Sequence, residues 1–206
     1  MTSAQIMSTS ALMIFAYVLG AIPFSYLVAK TRGVDLRKVG SGNIGGANVW
    51  RSCGFGPFLI ATSSDILKGT LPTLIAIYTV QLPPYAVVLV GISAILGHTF
   101  PVFLRFKGGK AVATSGGVLL AMFPLLVVCG IIAWAVGFWI TRVSAVGSLT
   151  ATAIVLILGT IFLFAGQLPM AYAGFIWIMC GVVTFLHREN IRRLMAGTER
   201  RFNKLS

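Results

Sequence analysis

The sequence predicts an all-α membrane bundle of about seven transmembrane helices, with the N-terminus outside and the C-terminus in the cytoplasm. Three observations carry that prediction. First, the 206 residues are 57% hydrophobic and only 10% charged, with a mean hydropathy of +0.94, whereas a soluble domain carries about 25% charged residues. A water-soluble core of this length cannot absorb so much apolar side chain. Second, the apolar residues gather in runs long enough to cross a bilayer. Third, the basic residues lie between those runs on one side only.

The first run extends from about Ala11 to Ala29. No Lys or Arg precedes it among residues 1–10, so it reads as an anchor with its N-terminus outside rather than as a cleavable signal peptide. The second run, from about Phe55 to Val80, contains Asp65 and Lys68. A third extends from about Tyr85 to Leu104. The long stretch from Lys110 to Ile140 contains Phe123-Pro124 near its middle. Proline opens a helix more readily than it continues one, so this stretch divides into two short or irregular spans with a tight turn between them. Ser144 to Ala165 and Met170 to Leu186 complete the set.

With seven spans and an outside N-terminus, all but one of the 16 basic residues fall in the inside segments. They are Lys30, Arg32, Arg37, Lys38, Arg51, Arg105, Lys107, Lys110, Arg142, Arg188, Arg192, Arg193, Arg200, Arg201 and Lys204; the exception, Lys68, lies within a span. Reading 109–140 as one span would move the later basic groups outside, against the positive-inside rule. The net charge of +12 therefore points to topology and to anionic partners such as phosphate groups and lipid headgroups, not to nucleic acid. No polar linker divides the chain, so residues 1–206 read as one integral membrane domain with a short basic cytoplasmic tail. Cys53, Cys129 and Cys180 are far apart and odd in number, which argues against a disulfide framework or a metal site.

Three polar stretches fall on the cytoplasmic side. In Gly40-Ser41-Gly42-Asn43-Ile44-Gly45-Gly46-Ala47-Asn48-Val49-Trp50-Arg51, the glycines permit a tight turn with N–H groups presented to an anion. Ser41, Asn43 and Asn48 add neutral donors, and Arg51 adds a planar charged fork. Such a loop is also compatible with a simple turn. In the second stretch, Lys107-Gly108-Gly109-Lys110 precedes an apolar span. A helix N-terminus there offers N–H groups and a positive dipole end, and Lys110 adds a formal charge; the bland alternative is a basic interfacial anchor. His98 reads as a hydrogen-bonded packing residue, and Asp65 and Lys68, spaced i, i+3, as a mutually paired couple. In the third stretch, His187-Arg188-Glu189-Asn190-Ile191-Arg192-Arg193, helical spacing places His187 and Asn190 on one face and Arg193 near Asn190 and Glu189. A solvated juxtamembrane helix is the alternative there. No Gly-x-Ser-x-Gly elbow occurs, so a serine acyl-enzyme is not indicated. The residues alone leave an anion-binding membrane site, with enzyme and transporter both open. A transporter would tend to show internal repeats and midplane polar sites, and neither stands out.

The three stretches GSGNIGGANVWR, GHTFPVFLRFKGGKAVAT and HRENIRRLMAGTE together resemble the bacterial acyl-phosphate:glycerol-3-phosphate acyltransferases of the PlsY family, in order and spacing, from about Ala16 to Phe202. The resemblance implies an enzyme of the bacterial inner membrane that passes a fatty acyl group from acyl phosphate to the 1-hydroxyl of sn-glycerol 3-phosphate. The products are lysophosphatidic acid and phosphate, and the reaction is the first step of phospholipid synthesis. No cofactor, metal or obligatory protein partner is implied. The catalytic residues it implies are Ser41, Arg51, Lys110 and His187. Substrate binding falls to Gly40, Gly42, Asn43, Asn48, Lys107, Gly108, Gly109, Ser148, Glu189, Asn190 and Arg193. The chain departs from the family pattern at Ala47, where a threonine is usual, at Ala111, where a glycine is usual, and at Ala145, where a serine is usual. These departures keep open an inactive lipid-binding homologue as well as a transporter for a phosphorylated metabolite.

Overall fold

The computed structural model describes residues 2–202, which form helices and no strands. The chain divides into two compact units at Met122 and Phe123.

The first unit contains α1 (Ser3–Ala21), α2 (Phe24–Lys30), α3 (Gly46–Cys53), α4 (Phe55–Leu74), α5 (Pro84–Thr99) and α6 (Val112–Met122). Thr2 and Gln5 close a reciprocal capping box at the start of α1, satisfying two N–H groups that a helix start leaves without partners. Pro23 separates α1 from α2 because proline has no N–H for the ladder. α1 packs on α5, and α4 packs on α2, α3 and α6. The α1–α5 approach is close: a Cβ on Gly20 would meet the Ala94 carbonyl, and one on Gly97 would meet the Tyr17 carbonyl. Small residues at such crossings let backbones of membrane helices come together. α4 runs into a π-helical turn at Ile75–Thr79, after the internal Pro72. α3 is an eight-residue amphipathic helix whose Trp50 stacks on Phe58 at 4.8 Å and tilts against Phe55 at 5.0 Å. Sequence reading treated residues 40–51 as one loop. The Gly45-Gly46 pair hid the helix, which in fact begins at Gly46 and places Asn48 and Arg51 on regular structure.

The second unit contains α7 (Pro124–Thr141), α8 (Ser144–Phe164), α9 (Met170–Leu186) and α10 (Arg188–Met195). Pro124 occupies the first turn of α7, as the Phe123-Pro124 break predicted. α8 packs on both α7 and α9. Arg142 ends α7 in the left-handed region at φ 57 and lies over the Trp139 ring at 4.4 Å. The basic tail is helical through Met195, and Gly197 turns the chain at φ 69. Phe202 then donates its N–H to the Arg142 carbonyl at 2.8 Å and meets Phe138 edge-on at 5.2 Å.

Helices occupy all seven predicted apolar segments. Among the described residues, four are long and apolar enough to cross a membrane: Ser3–Lys30, Pro84–Leu104, Pro124–Thr141 and Ser144–Phe164. Met170–Leu186 joins them when taken with Arg188–Met195 across a 55° bend. α6, at 11 residues, rises only about 16 Å at 1.5 Å per residue, less than the ~30 Å hydrocarbon core.

Candidate active site

The segment from Thr31 to Gly45 is held by an apolar cluster in which Leu36 and Ile44 pack with Tyr26, Ala29, Val49 and Ala61. At its exposed edge Arg37 grips Asp35 at 2.8 Å, and that hydrogen-bonded guanidinium holds the Asp35 carboxyl down to about 2. Asn48, buried on α3, organises the turn. Its amide nitrogen donates to the carbonyls of Leu36, Val39 and Asn43 at 3.1, 3.1 and 2.9 Å, and its oxygen accepts from the Ser41 N–H at 3.2 Å. A Cβ on Gly40, at φ 57, would collide with the Asn48 amide. The Gly42 N–H donates to Val39 at 3.0 Å, and Asn43 turns its carboxamide oxygen onto the Gly45 N–H at 2.8 Å. Ser41 is left exposed at the tip. Asn48 was expected as an anion donor; its amide is engaged by the loop backbone, so it shapes the turn that presents Ser41.

The second stretch folds back on the end of α5. The Gly108 N–H donates to the Thr99 carbonyl at 3.1 Å and the Gly109 N–H to the His98 carbonyl at 3.2 Å. A Cβ on Gly108 would strike both carbonyls, and one on Gly109 would strike the His98 ring. The family resemblance implies substrate binding at Gly108 and Gly109; their N–H groups are engaged by α5, and the two glycines are required by the close approach. Lys107 is exposed. Lys110 follows, part-exposed, two residues before the first residue of α6. As at any helix start, the first-turn N–H groups of α6 have no intrahelical acceptor.

Beneath these two stretches lies a charged cluster that sequence reading recognised only in part. Asp65 accepts from Ser25 Oγ at 2.7 Å through Oδ2, while its Oδ1 lies 2.9 Å from Lys68 Nζ and 3.7 Å from His98 Nδ1. Lys68 also donates to the Ile22 carbonyl at 3.1 Å. The Asp65–Lys68 pairing and the packed His98 agree with expectation. Ser25 was missed because nothing in Phe24-Ser25-Tyr26 distinguishes a buried acceptor-seeking serine from a helix-surface one.

In the second unit, His187 sits at the bend between α9 and α10, buried, with Nδ1 2.8 Å from the Val183 carbonyl. That contact places a ring hydrogen on Nδ1, because a carbonyl oxygen only accepts. Asn190, also buried, donates to Glu199 Oε1 at 2.7 Å, and Arg193 Nε donates to Glu199 Oε2 at 2.6 Å. Glu189 pairs with Arg192 at 3.3 Å on the exposed side. Glu199 escaped sequence reading because only the turn at Gly197 brings it back along α10. Glu199 also lines a cavity of about 300 Å³ with Ile140, Thr141, Val143, Val146 and Arg201. Ser148 is buried one turn into α8, near Ala145. Among the described residues, no group of three or more His, Cys, Asp or Glu is placed to hold a metal ion.

Helical throughout its described residues and strongly apolar, with helices long enough to cross a membrane, the chain is an integral membrane protein. The sequence model of the family described as glycerol-3-phosphate acyltransferase matches residues 10–197. A glycerol-3-phosphate acyltransferase of Roseiflexus sp. (strain RS-1) is 57% identical over 195 residues, covering 95% of this chain and 96% of the relative. The enzyme of that name from Aquifex aeolicus (strain VF5) is 40% identical, covering 93% and 97%. Among solved structures, the glycerol 3-phosphate form of PlsY, an integral membrane glycerol 3-phosphate acyltransferase, superposes with a TM-score of 0.88 at 39% identity, covering 96% of this chain and 97% of that one. Its lysophosphatidic acid form gives 0.86 at 37%. The chain belongs to the glycerol-3-phosphate acyltransferase family and is an acyltransferase.

Proposed function

We propose that the protein transfers a fatty acyl group from acyl phosphate to the 1-hydroxyl of sn-glycerol 3-phosphate, releasing lysophosphatidic acid and inorganic phosphate. The observation that carries this reading is the second stretch: a Gly-Gly turn locked to α5 that delivers part-exposed Lys110 to the start of α6. An ammonium beside a helix N-terminus suits a phosphoryl group. The names of the relatives support glycerol 3-phosphate as acceptor.

Acyl phosphate is a mixed anhydride with a good leaving group, so the glycerol hydroxyl attacks the acyl carbon directly. The new ester C–O bond forms, the bond from the acyl carbon to the phosphate oxygen breaks, and the hydroxyl proton passes to a base. The protein's part is to hold two phosphates near one another, align the hydroxyl and stabilise developing charge. Lys110 and Arg51 supply charge, Ser41 a hydroxyl at an exposed turn, and Gly40, Gly42, Asn43 and Asn48 the turn itself. Lys107, Gly108 and Gly109 set Lys110 in place. In the second unit Ser148, Glu189, Asn190 and Arg193 are assigned to substrate binding, Arg193 and Asn190 with Glu199 as their support. His187, oriented by its Nδ1 contact with the Val183 carbonyl, is assigned to receive the proton or to bind phosphate; a substrate phosphate can also take the proton. The chain acts as one domain in the inner membrane, with seven spans, the N-terminus outside and the site facing the cytoplasm. The one-sided distribution of basic residues supports that orientation.

Lys110→Ala and Lys110→Arg in purified protein test the reading. The charge-assisted contact is worth about 1.5–3 kcal/mol, so alanine loses at least about tenfold in kcat/KM. Arginine, a larger planar head, loses most activity as well. A folded Lys110→Arg variant with near-normal turnover would remove Lys110 from the site and leave it an interfacial anchor.

A further inference from the structure

We propose that Asp65 is a positioning residue for this reaction, acting through Ser25, Lys68 and His98 to register the Lys110 turn against the Ser41 turn. The proposal rests on the reading of Lys110 as a phosphate-binding group.

Asp65 stands where three parts of the first unit meet. Its Oδ2 accepts from Ser25 on α2, and its Oδ1 faces Lys68 on its own helix and His98 at the end of α5. The Lys68 contact is an ion pair rather than an aligned hydrogen bond, and the ammonium continues to the Ile22 carbonyl at the α1–α2 break. Each attachment leads to one of the candidate loops. α2 runs directly into the segment that ends at the Ser41 turn. The backbone carbonyl of His98 receives the Gly109 N–H, and the His98 ring lies against Gly109 with no space for a Cβ. Ile44 from the first loop and Pro101 from the second line the same small gap as Ser25, Asp65, Lys68 and His98. Both loops therefore close over this cluster.

Stability does not by itself account for the arrangement. Asp65 and Lys68 are each 2% exposed, and charges within a membrane span are costly. Replacing a buried ion pair by apolar residues of similar volume is often neutral or stabilising. What the pair adds over apolar packing is direction. One carboxylate with two oxygens fixes the mutual placement of α2, α4 and α5, and so of the two turns those helices carry.

The test compares wild type with Asp65→Asn and with the charge-balanced double variant Asp65→Leu/Lys68→Met, which leaves no unpaired buried charge if the single variant does not fold. Thermal melting, steady-state kinetics with acyl phosphate and glycerol 3-phosphate, and hydrogen exchange at Gly108 and Gly109 are measured on the purified proteins. The expected result is a double variant that melts near wild type, with kcat lowered at least tenfold and KM changed less, because a misplaced group costs alignment more than binding. Exchange at Gly108 and Gly109 rises at least tenfold while α9 amides keep wild-type protection. Wild-type kinetics with unchanged exchange at the two glycines would overturn the proposal. So would lower melting with exchange raised evenly through α4 and α5, the mark of a purely structural role. A wild-type protein that forms no lysophosphatidic acid defeats the functional reading instead, and the exchange at Gly108 and Gly109 still decides whether Asp65 holds the turn.

Discussion

At Ala111 a methyl group stands on backbone that disfavours one: φ is 60, and the residue is buried directly after Lys110. The left-handed region costs a Cβ-bearing residue roughly 1–2 kcal/mol, and an added glycine gives back about 0.5–1 kcal/mol in unfolded-chain entropy. Ala111→Gly is therefore expected to stabilise the protein by about 0.5–1 kcal/mol, seen as a higher melting temperature in detergent, without loss of transfer activity. A lower melting temperature would show that the methyl is held by packing worth more than the strain. The departure at this position was visible in the sequence, but its cost was not, since only backbone angles show that the turn needs a positive φ. The same limit explains Gly108 and Gly109. A glycine pair before a lysine fits an anion cradle and a close backbone approach equally well, and only the carbonyls of His98 and Thr99, distant from the pair in sequence, decide between them. Lys110 itself was legible, because a cation just ahead of an apolar run needs no tertiary information.

Among the helices, closeness of approach separates glycines that a hydropathy profile treats alike. A Cβ on Gly20 would meet the Ala94 backbone of α5, which cannot swing aside, whereas one on Gly174 in α9 would meet nothing within 4 Å. Gly20→Leu is expected to force α1 from α5 and cost about 1–3 kcal/mol or more, as overpacking does. Gly174→Ala should leave melting and activity unchanged. Equal melting for the two variants would mean that α1 does not pack on α5 in this way. The apolar segments themselves were readable because length and composition specify a span with little help from context. The proline that opens α7 was readable for a local reason, its missing N–H. The break at Pro23 lay hidden inside an otherwise continuous apolar run. α3 was also hidden, because an eight-residue amphipathic helix that opens on the second of two glycines carries too little periodicity to be told from a loop.

Across the whole molecule, charge sets the proposed orientation. Ser41→Cys, made with Cys53, Cys129 and Cys180 replaced by serine, is expected to resist membrane-impermeant thiol reagents added outside sealed cells and to react after permeabilisation. Labelling from outside would reverse the topology. Chain-wide charge bias needed only the sequence, and so did the membrane class and the family resemblance. The partnership of Arg193 with Glu199 needed the fold, because the turn at Gly197 returns one segment onto another. The central claim is direct acyl transfer from acyl phosphate, and the most direct measurement supplies purified protein with acyl phosphate and radiolabelled glycerol 3-phosphate, with and without chelator, beside a parallel reaction containing acyl-CoA. The expected result is labelled lysophosphatidic acid from acyl phosphate alone, at a rate the chelator does not change. Product from acyl-CoA without acyl phosphate, loss of product on chelation, or no product from acyl phosphate would contradict it.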